Sequence, residues 1–362
     1  MRILAIETTC DETSAAVLED GRLLSNFVYT QIPLHSGYNG VVPELASRAH
    51  LEKMPAVLSA ALKEAGLDIK DKCCIDAVAF SRGPGLPGSL MVGRMAAETA
   101  AEFFGVPLIG VNHLEGHLLA CEFEDGKISK PLQFPLIALL VSGGHTEMWL
   151  ARDYGDYKII GRTRDDAAGE AFDKVAKLLK LPYPGGPQVE RLAAEARHYL
   201  SESDVKASLP HFPRPYMKGT REFSFSGLKT AVSYYLQKNP SPGLREKCLI
   251  CREFQDAVIE TLIYKVKEAS GHYGVKRIAI GGGVSANSAL RLAFMGIKGI
   301  EARFSEKQYC SDNAAMITLC ALRRMQSGEW KNSIKSDPVL ENPSWKVRKA
   351  KEDSRTVRFS YV

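Results

Sequence analysis

The sequence has no apolar run near the ~18 residues that a membrane-spanning helix needs. The opening run, Ile3 to Ile6, is only four apolar residues long. That is too short for a signal-peptide core, so a cytoplasmic location is expected. Cysteine is sparse: eight among 362 residues do not make a disulfide scaffold. Neither sign of charge dominates. With 47 Lys and Arg against 42 Asp and Glu, the formal charge is +5, which permits a nucleic-acid partner without demanding one. A hydrophobic share of 45% and a charged share of 25% exclude wholesale disorder. At ~150 residues per domain the length predicts about two domains.

The chain alternates strands and helices, which argues α/β layers around mixed sheets. Ile3–Ile6, the polar turn Thr8–Ser14 and Ala15–Leu18 form a strand–turn–strand unit. A second such unit is Leu136–Val141, Ser142–Thr146 and Met148–Leu150, with a further strand at 156–161. Two copies about 130 residues apart suggest a duplicated architecture in which each copy opens one lobe. Leu45, Leu51, Met54, Val57, Leu58, Ala61 and Leu62 predict a helix over 44–66, kinked or broken near Pro55. Further helices are expected at 89–104, 170–179, 246–271 and 312–327, and strands at 75–80, 107–111 and 277–280. Tyr183–Pro187 reads as a proline- and glycine-rich break, and 201–226 as a polar loop. The lobes are placed at 1–112 and 113–311, with the last helix, 312–330, returning to the first. The tail 331–362 carries eight Lys or Arg against four Asp or Glu and is expected to lack order unless bound.

The strongest local chemical signal is Asn112-His-Leu-Glu-Gly-His117. His113 and His117 at i and i+4 share a helix face, so both imidazoles can reach one metal ion. The segment follows a strand, a usual position for a site in α/β folds. It is not H-E-x-x-H, so the general base of a zinc protease is misplaced. Ser311-Asp312-Asn313 opens the last helix; Ser311 or Asp312 can be its N-cap, and Asp312 can also be a third ligand. Two histidines and a carboxylate would leave coordination positions open. Cys248-Leu-Ile-Cys251 stands alone in a helical stretch and reads as structural. Ser142-Gly143-Gly144-His145, Gly281-Gly282-Gly283 and the glycine-rich turn 82–88 point to a nucleotide cleft, because glycine lets backbone amides approach a phosphate. None is a P-loop. Asp165, Asp166, Glu170 and Asp173 crowd four carboxylates into nine residues. The first two suit a helix start, and Asp173 suits a ribose contact or a solvated face.

These stretches resemble the bacterial TsaD type of the tRNA N6-adenosine threonylcarbamoyltransferase family, whose older label is glycoprotein endopeptidase. The resemblance rests on Ile6–Ser14, Gly40–His50, Gly83–Leu90, Asn112–His117, Val141–Thr146, Asp165–Lys174, Tyr183–Pro187, Phe223–Lys229, Gly281–Asn287 and Ser311–Asn313, spread over roughly 1–327. Asn39 departs from the family's usual glycine. The resemblance implies an α/β, two-lobed actin/Hsp70/sugar-kinase-like (ASKHA) fold with duplicated mixed β-sheets flanked by helices. It implies transfer of threonylcarbamoyl from threonylcarbamoyl-adenylate to N6 of adenosine 37, in tRNAs reading A-starting codons, with release of AMP. His113, His117 and Asp312 then look like ligands of a divalent ion, iron(II) first and zinc second. Leu140, Val141, Ser142, Gly143, Gly144, Asp173, Gly186, Glu190 and Asn287 look like adenylate contacts. The anticodon loop is the expected RNA contact. Expected protein partners are an inactive paralogue of the TsaB type and a small ATPase of the TsaE type. Asp11, Glu12 and His145 are candidates for the general base, with Asp11 favoured. A metallopeptidase, a nucleotide-binding scaffold and a small-molecule kinase on the same lobes remain the alternatives.

Overall fold

The computed structural model describes residues 1–38, 40–199, 210–328 and 356–358. In chain order the elements are β1 (Arg2–Glu7), β2 (Glu12–Glu19), β3 (Arg22–Thr30), α1 (Ile32–Ser36), α2 (Pro43–Glu64), β4 (Ala77–Gly83), α3 (Pro87–Phe104), β5 (Leu108–Asn112), α4 (His113–Leu119), β6 (Phe123–Glu124) and β7 (Lys127–Ile128). There follow β8 (Leu136–Val141), β9 (Thr146–Asp153), β10 (Asp156–Arg162), α5 (Ala168–Leu178), α6 (Gly185–Glu195), α7 (Ser226–Lys238), α8 (Leu244–Tyr273), β11 (Arg277–Gly281), α9 (Ser288–Met295), β12 (Glu301–Phe304), α10 (Ala314–Ser327) and β13 (Thr356–Arg358). Two units divide them. One is Met1–Gln133, Asp153–Tyr157 and Ser305–Val362; the other is Phe134–Arg152 and Lys158–Phe304.

The first unit holds a sheet in the order β5-β4-β1-β2-β3-β7-β6. In the second unit the order runs β12-β11-β8-β9-β10. The match is one of direction as well as order. β1 is antiparallel to β2 and parallel to β4, which is parallel to β5. Likewise β8 is antiparallel to β9 and parallel to β11, which is parallel to β12. The duplication expected from the two strand–turn–strand units is therefore a repeated mixed sheet. β1 and β8 are its central strands, and both are apolar and buried throughout their middles.

Several details differ from the sequence expectations. α2 runs unbroken through Pro55. Its buried stripe is Ala46, Ala49, His50, Met54, Val57, Ala61 and Leu62, whereas Leu51 is 67% exposed. Pro55 removes the amide that would bond the Leu51 carbonyl, and on that solvent-facing side water can take its place. The break expected at Tyr183–Pro187 ends at Pro184, and Gly185–Pro187 already form the first turn of α6. The N-cap of α10 is Asn313, whose side chain accepts from the Met316 amide; neither Ser311 nor Asp312 caps it. Asp165 serves a distant helix start, accepting from the Phe225 and Ser226 amides at the head of α7. The first unit continues past 112 to Gln133, and α4 packs with α10. Asn39, 201–209 and the tail 331–362 outside β13 lie beyond the described residues.

From 210 onward the expected polar loop is held against α8. Arg214 pairs with Glu253 and Glu260, and the buried Lys265 ammonium donates to the Met217 and Thr220 carbonyls. The core of the second unit is built on α8. Its face includes Cys248, Cys251, Phe254, Val258, Leu262 and Val266, at three- and four-residue spacing. Both cysteines are free and fully buried, and burial pushes the Cys251 thiol up to about 12, as a structural reading requires. The Phe254 ring meets Phe172 edge to face at 5.1 Å. Phe254→Ala should therefore destabilise the protein by about 3–5 kcal/mol, read as a lower urea midpoint.

Candidate active site

The first unit contains a group of ligands that can hold a metal ion. His113 is the first residue of α4, directly after β5, and Asn112 caps the helix by accepting from the Leu114 and Glu115 amides. One turn on, His117 brings its ring to 4.7 Å from His113, edge to face. Asp312 lies two residues before α10. Its Oδ1 is 3.5 Å from His113 Nε2 and 3.1 Å from His117 Nε2. The ligand atoms of the three residues all lie within 4.8 Å of one another. Both His117 ring nitrogens are buried and make no hydrogen bond among the described residues, despite the nearness of Asp312. Buried polar atoms are nearly always satisfied. An imidazole left so, facing a carboxylate and a second imidazole, fits a cation.

His113 is oriented by a carboxylate that the sequence reading did not single out. Glu7, at the end of β1, lies 3.1 Å from His113 Nδ1 and accepts from the Thr9 amide and the Ser81 hydroxyl. A proton on Nδ1 leaves Nε2 free as a ligand, the usual second partner of a metal-bound histidine. The sequence signal was the Glu7-Thr-Thr triplet closing an apolar strand, but only the fold brings it to residue 113. α4 is also clamped to α10. The Glu115 carboxylate accepts from Arg324 Nη2 at 2.7 Å and from the Tyr157 hydroxyl at 3.0 Å, all buried. Gly116 lies so close to α10 that a Cβ would come 3.0 Å from the Met316 side chain. The spacing between the histidines and Asp312 is thus set by contacts on both sides of α4.

Charge around this group is strongly perturbed. Burial lowers the affinity of His113 for a proton, but Glu7 and Asp312 outweigh it and raise its pKa to about 9. Burial also opposes ionisation of Glu7, yet the charge of and hydrogen bond from His113 hold it below its ordinary value. Glu12 is pushed well above the carboxylate range by burial, then by Asp312 and Asp11, and it hydrogen-bonds Asp11. Asp11 itself is buried beside it.

The second unit gathers the remaining predicted residues. Leu140 and Val141 end β8, and Ser142, Gly143 and Gly144 form the turn that follows. Gly282, φ +93°, lies against this strand end: a Cβ there would be 2.4 Å from the Val141 carbonyl. On another side Gly169, near the start of α5, donates its amide to the Ser142 carbonyl. Asp173 on α5 accepts from the Gly185 amide at 2.8 Å, at the start of α6 next to Gly186. Glu190 on α6 accepts from the Ser288 amide, and Asn287 caps α9 while donating to Gln255. Nothing lies within 4 Å of a Cβ at Gly143, Gly144 or Gly186. Helix starts and open glycine amides beyond the carboxyl ends of parallel strands suit an anion.

Full-length HypF, in a phosphate- and nucleotide-bound form, aligns with a TM-score of 0.56 at 14% identity, over 91% of this chain and 56% of that one. HypF from T. kodakarensis aligns at 0.55 over 91% and 48%. The molecule has the actin/Hsp70/sugar-kinase-like fold, with two mixed sheets. Residues 22–319 match the TsaD family model, tRNA N6-adenosine threonylcarbamoyltransferase. A protein of that name from Geotalea uraniireducens is 49% identical over 88% of this chain and 90% of its own length. One from Endomicrobium trichonymphae is 45% identical over 96% of this chain and 100% of its own length. The chain belongs to the TsaD family. It is an acyltransferase that forms N6-threonylcarbamoyladenosine at position 37 of tRNA, with tRNA and threonylcarbamoyl-adenylate as its substrates. No described helix is long and apolar enough to cross a membrane.

A cation held by this group would compete with a proton for His113. The metal-free protein keeps this imidazole protonated below about 9, so apparent cation affinity should fall as pH falls from 9 to 7. About tenfold per pH unit is expected for one displaced proton. Chelator competition at several pH values measures it, and His117→Ala should abolish the binding.

Proposed function

We propose that the two groups of residues divide the transfer between them. In this reading Leu140–Gly144, Asp173, Gly186, Glu190 and Asn287 hold the adenylate, and His113, His117 and Asp312 hold one divalent cation. Iron(II) is the first choice, because two histidines and one carboxylate with open positions suit it, and zinc is the second. The observation that carries the assignment is His117: a buried imidazole with no hydrogen bond, facing Asp312 and His113. When bound, such a cation supplies Lewis-acid polarisation and charge neutralisation.

The chemistry asks mainly for placement. The N6 amine of adenosine is a weak nucleophile because its lone pair is delocalised into the ring. The donor is a mixed carbamic–phosphoric anhydride and is already activated. The N6–carbonyl carbon bond forms, N6 loses a proton, and the bond to the phosphate oxygen breaks to release AMP. In this reading the amides of Gly143 and Gly144 hold the phosphate, and Asp173 takes a ribose hydroxyl. Asp11 takes the N6 proton, with the neighbouring Glu12 carboxyl as its hydrogen-bonded partner. The anticodon loop is the RNA element engaged, since its bases can be splayed from the stack. A TsaB-type paralogue and a TsaE-type ATPase are the protein partners, and the cytoplasm is the setting.

Transfer to unmodified tRNA from synthetic threonylcarbamoyl-adenylate, with partner proteins present, tests these roles by nucleoside mass spectrometry. His113→Ala should abolish product; product at the wild-type rate would make the cation structural. Asp11→Asn should slow transfer by about 100-fold with cation and adenylate binding intact. A rate near wild type would remove Asp11 as the base. Gly143→Ala has room within the protein, so it should raise the adenylate KM without changing stability. An unchanged KM would reduce that turn to a tight connection.

A further inference from the structure

The Gly40–His50 stretch ends in a histidine that the transfer reaction does not use. His50 lies on the buried face of α2 and is 0% exposed. Around it are Thr13 and His35, also 0% exposed, and Gln31 at 1%. These four side chains form a polar network inside the first unit.

Partner chemistry fixes the direction of every bond in it. His50 Nε2 lies 3.0 Å from the Cys10 carbonyl, which only accepts, so Nε2 carries the proton and donates. Burial lowers the His50 pKa, against smaller opposing effects of that hydrogen bond and of Glu7 and Asp11, so the ring is neutral and Nδ1 accepts. Thr13 Oγ1 at 2.7 Å and Gln31 Nε2 at 3.2 Å face Nδ1. The Gln31 amide nitrogen is identified by its third neighbour, the Ala46 carbonyl at 3.4 Å. Gln31 Oε1 therefore faces His35 Nε2 at 3.2 Å and accepts from it. His35 Nδ1 in turn accepts from the Val42 amide at 3.4 Å. The chain runs one way, from Val42 through His35, Gln31 and His50 to the Cys10 carbonyl. The Gln31 backbone amide adds a bond to the next carbonyl, Asp11, at 2.9 Å.

Cys10 and Asp11 lie in the turn between β1 and β2. Their carbonyls have no ladder partner there, so their orientation depends on the groups that reach them. Both are fixed from the Gln31–His50 side. The direction of the Asp11 and Glu12 side chains follows from that main chain. A buried polar network that is half satisfied is worse than an apolar core. This one is satisfied throughout, and it ends at the acidic turn.

We infer that His50 is a positioning residue for threonylcarbamoyl transfer, holding the main chain of the acidic turn Cys10–Glu12 through the buried chain that begins at Val42. The inference rests on the assignment of Asp11 to the transfer step. Leu34 and Tyr38, on and just after α1, are exposed next to the origin of the chain, so the segment that starts it is open to solvent.

Turnover is to be measured with the full chain, its partner proteins, tRNA and synthetic threonylcarbamoyl-adenylate, for wild type, His50→Ala, His50→Gln and Asp11→Asn. A turn displaced by about 1 Å costs on the order of 100-fold in rate. His50→Ala is expected to lower kcat by at least about tenfold, with adenylate KM and cation content unchanged. His50→Gln is expected to recover most of the loss, because its amide can donate to the Cys10 carbonyl while its oxygen takes the Thr13 hydroxyl. Wild-type kcat in His50→Ala overturns the inference, and so does His50→Gln no better than His50→Ala. Loss of bound cation in parallel with kcat also overturns it, since the effect is then on the metal ligands. A wild-type rate in Asp11→Asn, with His50→Ala slow, removes the assignment of Asp11 and not the role of His50. Should His50→Ala fail to fold, 15N-histidine spectra of the wild type decide. The resonance lost in His50→Gln should be a neutral Nε2–H tautomer at pH 7, and an imidazolium or an Nδ1–H tautomer there overturns the chain.

Discussion

Two imidazoles buried 4.7 Å apart need partners for their ring nitrogens, and the groups nearest these two are carboxylates. Much of the first unit is arranged around that requirement. Asp312 meets both rings, Glu7 meets the far nitrogen of one, and Glu115 stands between the two histidines in sequence, turned toward Arg324 and Tyr157. The three carboxylates differ in what they face. Asp312 shares the open side with Nε2 of both rings. Glu7 is saturated by Thr9, Ser81 and His113. Glu115 is neutralised by a guanidinium from α10, the helix that Asp312 precedes. A seven-residue helix cannot hold such a cluster by its own backbone hydrogen bonds. Its cap at Asn112, the close approach at Gly116 and the Glu115–Arg324 pair do so instead.

The duplicated sheet explains why the proposed site residues fall where they do. In each copy the central strand is followed by a short polar turn and an antiparallel return. In the first copy that turn carries Thr9, Asp11 and Glu12. In the second it carries Ser142, Gly143 and Gly144. The same backbone design has been given carboxylates in one case and bare amides in the other. Acidic side chains suit proton and cation chemistry, and glycine amides suit an anionic ligand. The segments just after the parallel neighbours, β4 and β11, supply the glycines that allow close backbone approach. Gly85 packs on the Thr9 carbonyl, and Gly282 on the Val141 carbonyl.

How much of this was legible in the sequence depended on range. The strand–turn–strand repeats, α2, α3, α8 and the His113–His117 pair are local patterns, and periodicity alone exposes them. α6 was hidden because Pro184 and Gly185–Gly186–Pro187 read as a breaker, although proline and glycine sit at its first turn, where the helix needs no donor. α7 was missed for a related reason: its cap is Asp165, about sixty residues earlier, so no capping residue appears next to it. Pro55 was overread, because the sequence does not say which face of α2 it lies on. The site divides along the same line. His113 and His117 announce themselves by spacing, whereas Asp312 read equally well as the N-cap of the last helix and as a third ligand until the fold brought it to both rings. Glu7 and His50 have no local signature, since the partners they touch, His113 and Cys10, lie 106 and 40 residues away, respectively.

The two histidine environments within the first unit show what decides between a ligand and a structural hydrogen-bonding group. His50 and His117 are both buried to about the same extent. Both ring nitrogens of His50 are matched, Nε2 by a carbonyl that only accepts and Nδ1 by an amide NH2 that only donates, with the Thr13 hydroxyl free to donate beside it. Nothing more can be added there without breaking the chain. The nitrogens of His117 meet no donor or acceptor in bonding geometry, and the nearest polar atoms belong to an imidazole and a carboxylate. Burial alone therefore does not separate the two roles; satisfaction does. The same test places Cys248 and Cys251 with the core, because burial raises both thiols away from the thiolate that a metal would need. It leaves the His113, His117 and Asp312 group as the metal-capable cluster among the described residues.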